Sequence, residues 1–160
     1  METDELAVWV VPRILSKHRK LGRPYLGAIR EVADRGIDSA QPSLWWNAVE
    51  AMATIDPDSP EAQAMLGPIA KVLSEPDAGH KFQAERVAML YKGSAGPLVP
   101  TLRAMLKSPD SQDQHLAAQL LADIGRPALE AIDDLEVFDR QSPNSIAASA
   151  LRKLKPLKPR

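Results

Sequence analysis

The sequence contains no cysteine, which removes disulfides, thiolate zinc sites and cysteine nucleophiles together. Aromatic residues make up only 4% of the 160 residues, so the core must be built from Ala, Leu, Val, Ile and Met. Such side chains favour closely packed helices over sheets. The formal net charge is −1, which supplies no global pull toward nucleic acid or anionic membranes. The apolar run from Leu6 to Val11 is too short for a signal core or a membrane span. The opening, Met1-Glu-Thr-Asp-Glu5, is acidic where a secretory leader is basic. No alternating run of β-branched residues occurs, so a sheet is not expected. These absences describe a helical protein expected in the cytoplasm, without membrane segments.

Proline is abundant, with 14 residues. Pro24, Pro42, Pro60, Pro97, Pro127 and Pro143 each stand just ahead of a segment with helical spacing of apolar residues. The first helical turn tolerates proline because its backbone donor has no partner there. Gly36, Asp56-Pro57, Pro76-Asp77, Gly93, Pro109-Asp110 and Gly125 read as stops. Cutting at these marks predicts nine short helices over 3–20, 24–35, 43–55, 60–74, 80–92, 97–107, 113–124, 127–138 and 143–154. Pro12 should kink or split the first.

The phrase Leu73-Ser-Glu-Pro-Asp-Ala-Gly-His80 returns 33 residues later as Leu106-Lys-Ser-Pro-Asp-Ser-Gln-Asp113 (106 − 73). Its proline ends one helix and the following Asp or Ser can cap the next. Segments opening at Ala48, Ala84, Ala117 and Ala147 also superpose, at spacings of 36, 33 and 30 (84 − 48, 117 − 84 and 147 − 117). Each begins with small residues and reaches a larger apolar one seven positions on, which places both on one helical stripe. The residues expected in the core are Ala48, Met52, Ile55, Ile69, Leu73, Ala84 and Ala88, followed by Leu102, Leu106, Ala117, Leu121, Ile124, Ala147 and Leu151.

Over about residues 43–154, this pattern resembles HEAT repeats, in particular the short Ala-rich bacterial kind also seen in phycobilin-lyase-like proteins. The residues that carry the resemblance are Gly93 through Leu102 and Ala117 through Gly125. It implies an all-α, right-handed α-solenoid of about four HEAT-like helix pairs plus a terminal helix. Residues 1–154 then form one repeat domain, with 1–40 as an irregular N-terminal cap and 155–160 as a basic tail. The family usually carries an Arg three residues before the first Ala of each unit, paired with turn Asp residues. This chain has Trp45, Lys81, Gln114 and Asn144 there, so a regular Arg–Asp ladder is not expected.

No catalytic or metal site is expected, and no cofactor. His18, His80 and His115 are far apart in sequence, without metal-ligand spacing. No Gly-x-Ser-x-Gly elbow occurs. Gly93-Ser-Ala-Gly-Pro97 lacks the Lys of a phosphate loop. Asp133 and Asp134 point to adjacent helical faces and read as solvated. The charge is unevenly spread: Arg13 to Arg35 is rich in cations and Asp110 to Asp139 in carboxylates, either as solvated surface or as a dipolar array that steers partners. Trp45 lines up with Ala48 and Met52 and belongs to the core. Trp46, rotated about 100° from it, either packs on the adjoining repeat or emerges as a binding anchor.

These features predict a non-catalytic protein–protein interaction scaffold whose partner-binding residues are Trp46, Arg19, Lys20, Arg23 and Tyr25. The alternative is nucleic-acid binding of the kind seen in HEAT-like alkylpurine DNA glycosylases, suggested by the basic stretch with Tyr25 and Trp46.

Overall fold

The computed structural model describes residues 14, 19–38, 42–75, 79–141 and 145–158. These fold into α1 (Arg19–Gly22), α2 (Leu26–Asp38), α3 (Pro42–Ile55), α4 (Pro60–Gln63) and α5 (Leu66–Ser74). They continue with α6 (Lys81–Tyr91), α7 (Val99–Met105), α8 (Ser111–Ile124), α9 (Ile132–Gln141) and α10 (Ser145–Leu154). Tighter 3₁₀ turns occupy Arg23–Tyr25, Lys92–Leu98, Arg126–Ala131 and Lys155–Leu157. No strand occurs among the described residues. None of their helices is long and apolar enough to cross a membrane. Most of the expected segment 3–20, with Pro12, and the turn at 76–78 lie outside the described residues, as does Asn144.

Contacts divide the chain into two compact units, Met1–Met65 and Leu66–Arg160. In the first, α2 lies against α3. Ile29, Val32 and Ala33 of α2 are buried, as are Trp45, Ala48, Val49 and Met52 of α3. Ala33 and Gly36, one turn apart, bring the two backbones together. A Cβ on Gly36 would lie 2.8 Å from the backbone nitrogen of Trp45. Ser59 caps α4 by accepting from the Ala62 N–H at 3.2 Å, with Pro60 in the first turn, where no donor is needed.

In the second unit, α5 packs on α6, α7 on α8, and α9 on α10. Three pairs of alternate helices also meet: α6 touches α8, α8 touches α10, and α5 touches α7. The 33-residue recurrence of the sequence is present in this backbone. α6 and α8 end at Tyr91 and Ile124, and α7 and α9 begin at Val99 and Ile132. Both pairs are 33 apart (124 − 91 and 132 − 99). The residues that close α6 and α8 share one unusual conformation: Lys92 has φ 48°, ψ −126° and Gly125 φ 73°, ψ −126°. This positive-φ region favours glycine, and at Lys92 the fold places a lysine in it.

The repeated turn phrase is a capped corner at its second occurrence. Ser108 Oγ accepts from the Asp110 N–H at 3.1 Å, and Asp110 Oδ1 accepts from the Gln112 N–H at 2.8 Å, capping α8. The Gln114 side chain closes the same corner by donating to the Ser108 carbonyl.

Four expected helices differ in detail. The segment 24–35 opens with a 3₁₀ turn and runs on through Gly36, read from the sequence as a stop, to Asp38. The segment 60–74 is broken at 64–65, because Pro68 has no N–H to donate to the Ala64 carbonyl one turn back. The segments 97–107 and 127–138 each open with a 3₁₀ turn before becoming α-helical at Val99 and Ile132. Every core residue named from the sequence is buried, with Met52, Ile69, Leu102 and Leu121 wholly so. Burying each such aliphatic side chain stabilises the fold by roughly 1.5–3 kcal/mol relative to exposure.

Candidate partner-binding surfaces

The five residues expected to bind a partner fall into three situations. Arg19 and Lys20 of α1 are exposed, and Tyr25 is 54% exposed beside Leu21, which is 67% exposed. Arg23 is held by Asp56, with Nε to Oδ2 at 3.0 Å. Trp46 is buried, with only 5% of its surface exposed. It stands edge-on to Trp45 at 4.4 Å between ring centroids. The proposed aromatic anchor is therefore a packing residue, as the whole apolar width of α3 turns inward. The Trp45 indole nitrogen is also buried and has no hydrogen-bond partner among the described residues, which costs about 1–3 kcal/mol. Within the basic stretch, Arg30 pairs with Asp34 on its own helix at 2.9 Å, further reducing the free cationic surface.

The carboxylates of Asp110 to Asp139 are largely internal partners of the second unit. Lys81 of α6 pairs with Asp113 of α8. Arg103 and Lys107 converge on Asp134 of α9, at 2.6 and 3.0 Å. Lys153 of α10 reaches Asp123 of α8 at 3.0 Å, and Lys155 meets Glu136 at 2.8 Å. Burial pushes the Asp134 carboxyl up, yet hydrogen bonds from Arg103 and Lys107 outweigh it and hold it below its usual range. The hydrogen bond from Lys155, followed by its charge, lowers Glu136. Burial raises Glu85 against the opposing charge of Lys81. Lys81 links α6 to α8, and cations from elsewhere in the chain supply the other links. The acidic stretch therefore joins helices to one another more than it faces outward.

Grooves among the described residues of the second unit include two that are related by the sequence period. One, of about 260 Å³, lies between α5, α7 and the Ser108–Asp110 corner. The other, of about 330 Å³, lies between α7, α8 and α9. Shifting the lining residues of the first by 33 positions reproduces most of the second. Leu73 and Ser74 become Leu106 and Lys107; Thr101, Ala104, Met105 and Ser108 become Asp134, Val137, Phe138 and Gln141. Helix positions one period apart line the two grooves, with different side chains on their walls. Leu106 and Met105 serve the core and supply the groove floors, while Ala104 and Val137 stand exposed on the rims.

As groove residues, Ala104, Met105, Val137 and Phe138 escaped sequence reasoning. Their signal lay in carrying the 33-residue register of the turn phrase back through Leu73/Leu106 and on to Met105/Phe138. Periodicity alone shows that such residues share a face, but not that the face is left uncovered. Phe82 of α6, 72% exposed, was missed for the same reason. His115 is accounted for locally: its Nδ1 donates to the Ser111 carbonyl at 2.6 Å, and its ring is edge-on to Phe138 at 6.4 Å.

No protein-family model, curated protein or solved structure matches the chain.

Proposed function

We propose that this chain is a non-catalytic adaptor of the HEAT-like α-solenoid kind, whose work is to hold another protein. The observation that carries this reading is the recurrence of one groove at the 33-residue period of the helices. A repeat array offers a partner equivalent sites in succession, and differing side chains on a common backbone give each site its own preference. In this reading, α5–α6, α7–α8 and α9–α10 are successive helix pairs. The cation–carboxylate contacts between alternate helices keep them in register. Absence of cysteine suits a reducing, cytoplasmic setting.

Nucleic-acid binding has less support. Of its supports, Trp46 is buried and Arg23 and Arg30 are engaged with Asp56 and Asp34, whereas duplex binding needs a run of cations on phosphates.

A photo-activated cross-linker placed at Ala104 or Val137 tests the adaptor reading in cells that make the protein. Both positions should capture the same protein, and that protein, purified, should bind at a defined stoichiometry. A cross-linker at exposed Gln119 on α8 serves as control. Capture of unrelated proteins at the two groove positions, or no binding by the purified candidate, refutes the reading.

A further inference from the structure

The first unit carries an exposed apolar patch within a strongly basic part of the chain. Between Glu5 and Glu31 the sequence has no carboxylate and six cations: Arg13, Lys17, Arg19, Lys20, Arg23 and Arg30. The net charge of −1 conceals this local excess. Within it, Ile14, Leu21 and Tyr25 are 53%, 67% and 54% exposed. Their positions, seven and four residues apart, follow the spacing of one helical stripe.

These side chains are not a core face left over from folding. Gly22 and Leu26, each one residue further on, are buried, and α1 already lies against α3. One residue of helix is a rotation of about 100°, so the inward side is filled while Leu21 and Tyr25 stand outside it. Cations flank the stripe. Arg19 and Lys20 are exposed and make no ion pair among the described residues. Arg23 keeps 66% of its side chain exposed while paired with Asp56.

The cations select an anionic surface, and the aliphatic side chains narrow the choice. Nucleic acid is held by charge, hydrogen bonds and aromatic stacking, and gains little from Ile14 and Leu21. A protein partner needs about 800 Å² of surface fitted to the protruding side chains. A lipid boundary needs no fitted pocket. It takes aliphatic side chains of any shape, holds Tyr at headgroup level and offers phosphates to Lys and Arg.

We propose that this patch docks the chain on an anionic membrane surface. Ile14, Leu21 and Tyr25 enter the headgroup boundary, and Arg19 and Lys20 meet the lipid phosphates. Such a stripe lies in the plane of the surface and does not cross it. The inference is independent of the adaptor reading, which concerns the second unit.

The test is co-sedimentation of the full chain with phosphatidylcholine vesicles, with and without about 30% phosphatidylserine. Each cation beside an anionic leaflet strengthens binding up to about fivefold, so the anionic vesicles should bind about ten- to thirtyfold more tightly. Added salt should reduce that advantage by screening. Arg19→Gln combined with Lys20→Gln should remove it. Leu21→Gln combined with Tyr25→Gln should weaken binding about tenfold at low and high salt alike, because burial of apolar surface is lost. All four positions are exposed, so far-UV circular dichroism should stay unchanged. The chain has no cysteine, so Leu21→Cys accepts a single environment-sensitive dye, whose emission should shift to the blue on anionic vesicles. No binding up to millimolar lipid overturns the proposal. Equal binding to neutral and anionic vesicles does so too, as does undiminished binding by the Leu21→Gln, Tyr25→Gln protein. Polyglutamate or an oligonucleotide binding as tightly as the vesicles would assign the patch to an acidic protein or to nucleic acid, and overturn it as well.

Discussion

Gly36→Ala should destabilise the first unit even though alanine is the better helix former. The added Cβ would lie 2.8 Å from the Trp45 nitrogen, 3.1 Å from its Cα and 3.2 Å from its Cβ. The nearest two of these atoms are backbone, so no side-chain rotation relieves the overlap. α2 must move away from α3, loosening Ala33 and Ala48, both wholly buried. Forcing an extra methyl into such a contact costs about 1–3 kcal/mol. The helix-propensity gain of Gly→Ala is at most about 1 kcal/mol, and less in a last turn. The net loss is about 1–2 kcal/mol, and each kcal/mol lowers Tm by about 2–4 °C in a chain of 160 residues. Gly27→Ala, in the same helix with nothing within 4 Å of the added Cβ, is the internal control. It should leave stability equal or raise it by up to about 1 kcal/mol. Thermal unfolding followed by tryptophan fluorescence reports this unit through Trp45 and Trp46 of α3. A Gly36→Ala protein as stable as the Gly27→Ala protein would show that α2 and α3 do not approach so closely.

The two helix-closing corners make opposite predictions. Lys92→Gly should stabilise and Gly125→Ala destabilise, each by about 1–3 kcal/mol for a side chain held at that positive φ; denaturant midpoints check both, and like signs would refute the shared geometry. Leu102→Ala and Leu121→Ala, at wholly buried sites, should each cost about 2–5 kcal/mol, read from the same denaturation curves. Asp134, whose carboxyl is held below its unfolded value near 3.8, stabilises the fold fully above that pH. The contribution is lost as pH falls through the lowered folded value. Asp134→Asn should therefore flatten the loss of stability between neutral pH and pH about 3, and an unchanged acid-unfolding profile would show that Arg103 and Lys107 do not hold it.

The sequence by itself determined the helices and their inward faces. Proline and glycine act on the backbone locally, so Pro42, Pro60 and the Ser108-Pro-Asp110 corner mark boundaries without reference to the rest of the chain. Helical spacing is likewise local, which is why the stripe through Met52, Leu102 and Leu121 was legible as core. The 33-residue period was legible for the same reason, since it is a comparison of the chain with itself. Tertiary structure alone decided which apolar residues remain uncovered. Trp46 and Phe82 are both large aromatics on helices, yet α3 buries one and α6 exposes the other, because burial depends on what packs alongside. It also decided where the charges go. A run of carboxylates from Asp110 to Asp139 reads as an outward field in one dimension. Folding instead brings Lys81, Arg103, Lys107, Lys153 and Lys155 onto them from distant positions, converting an apparent binding surface into contacts between helices. The grooves depend on both levels: their recurrence comes from the periodic sequence, and their openness from side chains that no helix among the described residues covers.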